Sequence, residues 1–118
     1  MAIQVILDVT EEYNDSSLKT LDVGGYDYAI VQLVNPSGTV TFKTSNDANA
    51  ITGASDGSAT SAISFTVVQG TNLATSAAVS TLAATGLVRF GYIGKFLQLD
   101  GGGTATCDKV IVRLVNIG

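Results

Sequence analysis

The chain has 118 residues, of which 46% are hydrophobic and 14% are charged, and its net charge is −4. This apolar composition excludes a disordered chain, and the length predicts one domain that spans residues 1–118. With no histidine and a single cysteine, the chain cannot build a Ser–His–Asp or Cys–His site, a histidine-ligated zinc or an internal disulfide. Its six Lys and Arg residues are too few and too scattered to bind nucleic acid.

Apolar residues recur at every second position in many short segments separated by turns. This alternation predicts strands over residues 3–9, 18–23, 26–34, 39–44, 61–70, 87–93, 95–100 and 109–116. The density of Thr and Ser in residues 72–85 favours a strand and a turn there over a short helix. Many short strands without a long helix predict an all-β antiparallel β-sandwich with jelly-roll topology.

The segment after residue 34 has a turn signature. Asn35, Pro36 and Gly38 stand in the order typical of a type I turn, so we expect strands 26–34 and 39–44 to form a hairpin. Strand 26–34 is apolar on both sides, which is typical of a central strand and predicts that Tyr28 is buried.

Residues 45–60 are small and polar, and a connection this long in a compact domain is typical of an interaction loop. We therefore take Asn46, Asp47 and Asn49 as candidate protein-interface residues. Asp47 begins like a calcium loop, but the third oxygen ligand and the glycine after it are missing, so we expect no metal site.

The acidic segment Glu11, Glu12 and Tyr13 is a second candidate for a protein interface. It belongs to an uneven charge distribution. Most of the charged residues in 1–27 are acidic, and most of the charged residues in 86–118 are basic. Either the terminal strands lie together and pair their charges within one subunit, or the two regions make a head-to-tail contact between subunits.

Two further sequence features, the glycines at 101–103 and Cys107, do not indicate a binding or catalytic site. The glycines at 101–103 are followed by a strand rather than by the helix of a phosphate-binding loop, and Cys107 is expected to be a buried apolar residue. We therefore expect no enzyme, no catalytic residue and no cofactor. The start of the chain lacks the features of a signal peptide and no apolar run reaches membrane-spanning length, so we expect synthesis in the cytoplasm and no membrane partner.

Four segments together carry a family resemblance. Residues 28–42 (YAIVQLVNPSGTVTF), 45–47 (SND), 67–75 (VVQGTNLAT) and 94–99 (GKFLQL) resemble small all-β structural proteins of tailed bacteriophages. The resemblance implies a virion structural protein: either a decoration or cement protein that binds the major capsid protein lattice at the capsid surface and stabilises the phage head, or another small head or tail protein.

The resemblance also implies an oligomer, because such proteins commonly sit on the capsid as trimers or dimers; we expect a homotrimer. The alternative is a carbohydrate-binding or host-surface-binding sandwich module of a phage fibre or tail. Since the chain has no Trp, the platforms that stack on sugar rings would then be tyrosines, namely Tyr13, Tyr26, Tyr28 and Tyr92.

Overall fold

The computed structural model describes residues 5–13, 18, 20–47, 64–91, 93–102 and 104–117. These residues form eleven strands in two antiparallel sheets and no helix, which confirms the predicted all-β sandwich. None of them belongs to a helix of the length and hydropathy needed to cross a bilayer. In chain order the strands are β1 (Val5–Tyr13), β2 (Thr20–Asp22), β3 (Tyr28–Val34), β4 (Val40–Ser45), β5 (Thr66–Val67), β6 (Gly70–Asn72), β7 (Ala78–Val79), β8 (Thr81–Leu82), β9 (Gly86–Phe90), β10 (Phe96–Asp100) and β11 (Lys109–Ile117).

The six-stranded sheet has the order β1-β11-β3-β9-β6-β7, and the five-stranded sheet has the order β2-β10-β4-β5 with β8 also paired to β4. The first and last strands pair antiparallel, from Tyr13 opposite Val110 to Val5 opposite Ile117. The predicted proximity of the chain's two terminal strands within one subunit is therefore confirmed. The finer jelly-roll assignment stays a prediction.

The core lies between the sheets and is built by residues two apart on each strand. On β3, the side chains of Ala29, Val31 and Leu33 are buried in the core. Because successive side chains of a strand point to opposite faces, Tyr28 lies on the outer face, where it is half-buried. The prediction that Tyr28 is buried is therefore wrong, because Ala29, Val31 and Leu33, rather than Tyr28, face the second sheet.

One aromatic pair joins the two sheets at the centre of the core. The rings of Phe42 on β4 and Phe90 on β9 pack edge to face with centroids 5.0 Å apart, and both side chains are fully buried. On β10, Leu97 and Leu99 complete the core from the five-stranded sheet. Gln98 is also buried, so β10 is covered on both faces, as expected of a central strand.

The predicted hairpin of strands 26–34 and 39–44 is wrong. β3 pairs with β9 and β11, whereas β4 pairs with β10 in the other sheet, so the connection between them crosses from sheet to sheet. The polar groups of this connection bond to the segment before β11: Ser37 N–H donates to the Thr106 carbonyl at 2.7 Å, and Asn35 Nδ2 donates to Asp108 Oδ2 at 3.0 Å. Asn35 adopts a left-handed backbone with φ 49°, which asparagine tolerates better than most residues.

The single strand predicted over residues 61–70 is replaced, within residues 64–72, by two short strands in different sheets. β5 pairs with β4, and β6 pairs with β9. The chain changes sheet between them, so Val67 is 53% exposed while Val68 packs against the core. Residues 61–63 lie outside the described residues. For residues 72–85, the predicted strand and turn are confirmed as the short strands β7 and β8.

Candidate functional site

The outward side of the six-stranded sheet carries a mixed apolar and cationic surface, which we call the outer face. Its side chains alternate along the central strands with those that fill the core. It consists of Tyr28, Ile30 and Gln32 on β3, Leu87 and Arg89 on β9, and Lys109, Ile111 and Arg113 on β11.

Strand register brings these residues into rows. Arg113 and Arg89 both lie opposite Ile30, one from each side, and Ile111 and Leu87 both lie opposite Gln32. The Arg89 guanidinium lies over the Tyr28 ring, 5.7 Å from its centroid. Such a cation–π pair fixes an arginine without removing it from solvent.

The outer face has two properties of a protein-binding surface. Leu87 is 38% exposed and its neighbour Leu73, whose N–H donates to the Leu87 carbonyl at 3.0 Å, is 41% exposed. Three of the chain's six basic residues also lie here, although the chain as a whole is acidic. Exposed apolar side chains beside Arg and Tyr are the composition that protein interfaces enrich.

A pocket of about 230 Å³ opens at one end of the sandwich, and we call it the end pocket. Its walls come from two parts of the chain, residues 23–29 on one side and Gly91 with residues 93–95 on the other. The residues that line it include Tyr26, Tyr28, Ile93 and Lys95, together with glycines on both sides. Tyr28 therefore belongs to both the outer face and the end pocket.

Hydrogen bonds hold the two walls of the end pocket together. Val23 N–H donates to the Lys95 carbonyl at 2.8 Å, and the Lys95 N–H donates to Asn46 Oδ1 at 2.9 Å. Gly94 fits closely, because a Cβ there would stand 2.7 Å from Thr44 Oγ1 and 2.9 Å from the Ser45 carbonyl oxygen. The pocket wall at 94–95 is thus fixed against the end of β4.

The structure does not bring the candidate interface residues into one site. Glu11, Glu12 and Tyr13 are the last residues of β1, at the end where β3 leads into the connection to β4. Asn46 and Asp47 follow the last residue of β4 and lie at the opposite end, beside the end pocket. Asn49 lies outside the described residues.

Asn46 and Asp47 have structural contacts of their own. Asn46 accepts the Lys95 N–H described above, while Asp47 Oδ2 accepts the Ser64 N–H at 3.2 Å and Asp47 N–H donates to Ser45 Oγ at 2.9 Å. The Asp47–Ser64 bond joins the two described residues on either side of the segment 48–63. Asn46 and Asp47 are therefore held by hydrogen bonds within the chain, and their role at an interface stays a prediction.

Sequence reasoning found parts of these two surfaces but assembled neither. It described strand 26–34 as apolar on both sides, and the outer side of that strand is the centre of the outer face. It named Tyr26 and Tyr28 as possible platforms for a sugar, and both line the end pocket. The pocket itself had no signal, because residues 23–29 and 93–95 meet only through the pairing of distant strands.

The comparisons with known proteins give one structural likeness. No known protein family and no curated protein sequence matches the chain. The fold is similar to the crystal structure of YomS, a protein derived from the SPBc2 prophage, with a TM-score of 0.57 and 15% sequence identity. The likeness covers 100% of this chain and 96% of YomS. It shows that the two chains share a fold.

Proposed function

We propose that this chain is a structural protein of a phage virion, and specifically a decoration protein that binds the major capsid protein lattice and stabilises the head. Two findings support a phage origin: the sequence resemblance to small phage structural proteins and the shared fold with a prophage-derived protein. The place of action would be the capsid surface.

The observation that carries the proposal is the outer face. The middle of this sheet is made of long paired strands, with seven register pairs between β3 and β11 and five between β3 and β9. A broad sheet surface can lie across a repeating lattice without a deep cleft on the partner. Its basic residues favour a coat surface that is acidic, because complementary charge steers association and fixes orientation.

The candidate interface residues would make a second contact. Asn46 and Asp47 lie at one end of the sandwich, and Glu11, Glu12 and Tyr13 lie at the other end. While the outer face binds the lattice, residues at either end would contact a neighbouring capsid subunit or a second copy of this chain. We propose a homotrimer as the form that sits on the lattice.

Co-sedimentation with phage heads that lack the protein tests this function. We expect saturable binding of the wild-type chain, and a loss of at least about tenfold in affinity for Leu87→Asp, because a carboxylate would enter a desolvated contact. The matched control is Val67→Asp, which changes an exposed apolar strand residue of the other sheet. The proposal fails if the wild-type chain does not sediment with heads at any concentration.

A further inference from the structure

We propose that the end pocket binds one uncharged carbohydrate ring, such as the terminal sugar of a glycan. Nothing in the capsid-binding role requires this site. The inference rests on the size of the pocket, on the chemistry of its walls and on the way those walls are fixed.

The size of the pocket limits the ligand. Its volume of about 230 Å³ is below the roughly 300–1,000 Å³ that encloses a drug-sized molecule, so it suits a single ring. Two of its lining residues, Gly25 and Gly91, are exposed, and a Cβ placed at either would meet nothing within 4 Å.

The chemistry of the walls matches the two surfaces of a sugar. Tyr26, Tyr28 and Ile93 line the pocket. Because the Arg89 guanidinium lies over the Tyr28 ring, we assign the Tyr26 ring to the C–H face of a pyranose, and a tyrosine hydroxyl can also take part in hydrogen bonds. Lys95 is an exposed residue of the opposite wall, and its ammonium lies over the Phe96 ring, 5.2 Å from the ring centroid. One acidic residue, Asp27, also lines the pocket, so one charge of each sign favours an uncharged ligand over an ion.

The walls are in place before a ligand arrives. The Val23–Lys95 and Lys95–Asn46 hydrogen bonds join them to each other and to the end of β4. Asp27 N–H donates to the Val115 carbonyl at 3.0 Å, which fixes the other wall to β11. A preformed site avoids the ordering cost that weakens binding to mobile loops.

The test is a two-dimensional ¹H–¹⁵N NMR titration of the full chain with the methyl glycosides of glucose, galactose and N-acetylglucosamine. We expect at least one of them to cause saturable shifts of the Gly91, Gly94 and Lys95 amides. The expected Kd is about 1–10 mM, a normal range for a ligand of about a dozen non-hydrogen atoms. If none of the three glycosides shifts these amides saturably, the proposal is wrong.

Single substitutions test whether the glycoside binds in the end pocket or on another surface. Gly91→Leu adds a large side chain to a lining residue whose Cβ position has no neighbour within 4 Å, and we expect it to weaken binding at least tenfold, with Gly91→Ala intermediate. Lys95→Ala should also weaken binding, whereas Lys109→Ala, at the other end of the molecule, should not. Normal binding by Gly91→Leu that retains the wild-type spectrum elsewhere would overturn the proposed location.

The same titration distinguishes this inference from the capsid role. Leu87→Asp should lose capsid binding and keep the glycoside-induced amide shifts. Gly91→Leu should keep capsid binding and lose those shifts. Tyr28 is left out of these tests because it belongs to both surfaces. Loss of both activities in either variant, with the fold intact, would show that the two surfaces act as one site and would contradict the separation made here.

Discussion

Lys43 and Asp100 form an ion pair on neighbouring strands of the five-stranded sheet. Lys43 Nζ lies 2.6 Å from Asp100 Oδ2, and the side chains are 30% and 13% exposed. Asp100 Oδ1 also accepts the Gly102 N–H at 2.8 Å. Burial raises the pKa of Asp100, but the hydrogen bonds from Lys43 and Gly102 and the charge of Lys43 together lower it below its ordinary value of 3.8.

This pKa shift predicts a pH dependence of stability. Because the folded-state pKa is below the unfolded value, the pair stabilises the fold fully above about pH 4, and the contribution disappears as the pH falls through the folded-state pKa. At pH 7 we expect Lys43→Met to lower the free energy of unfolding by about 1 kcal/mol. Urea unfolding at pH 7 and pH 2 measures this; a difference that is as large at pH 2 as at pH 7 would contradict the role of the ion pair.

Cys107 gives a second prediction at the level of one residue. Its side chain is 1% exposed, and burial raises the pKa of its thiol, with the negative charge of Asp108 adding to the effect. A thiol that is buried and protonated reacts slowly. We expect alkylation by iodoacetamide to be slow at pH 7.5 in the native protein and rapid in denaturant; equal rates would show that Cys107 is accessible.

At the level of elements, alternation in the sequence predicted most of the strands but not their partners. Strand β3 was predicted to be central because both of its sides are apolar, and it lies between β9 and β11. The hairpin with β4 was wrong because a turn signature specifies a change of direction and not the sheet that the next strand joins. Ser37 and Asn35 find their hydrogen-bond partners at Thr106 and Asp108, about 70 residues further along the chain, and no local pattern predicts that.

Gly70, the first residue of β6, packs closely against Val88 and Arg89 of the neighbouring strand β9. A Cβ there would stand 2.6 Å from Val88 Cγ1 and 2.8 Å from the Arg89 carbonyl oxygen, and the backbone oxygen cannot move away cheaply. We expect Gly70→Ala to destabilise the fold by about 1–3 kcal/mol. The control is Gly86→Ala, whose Cβ would make ordinary contacts at 3.5 Å or more. Equal thermal midpoints for the two variants would contradict this packing.

For the whole molecule, the sequence predicted the class of fold better than the candidate site. The loop 45–60 and the segment Glu11–Tyr13 stood out because polar and acidic runs are visible in a sequence, yet the described part of the loop, residues 45–47, lies at the opposite end of the sandwich from that segment. The outer face is assembled from β3, β9 and β11, which are distant in sequence, so it becomes visible only when the strands are paired. The end pocket, too, is formed by parts of the chain that are distant in sequence.

The number of subunits in the assembled protein is a further prediction for the whole molecule. The outer face exposes Leu87 and the adjacent Leu73, and apolar side chains that remain exposed on a sheet favour association with a partner. We expect light scattering at micromolar concentration to give a trimer. A clean 12.1 kDa monomer over that concentration range would remove the trimer and leave the capsid-binding proposal to be tested separately.

Cryo-electron microscopy of heads saturated with the purified protein tests the central claim most directly. The account predicts added density on the capsid surface into which the sandwich fits with its outer face, including Leu87 and Arg89, against the coat subunits. Heads that show no added density at saturating protein would contradict the decoration function. Density that places the five-stranded sheet against the capsid, with the outer face directed to solvent, would contradict the assignment of the binding surface.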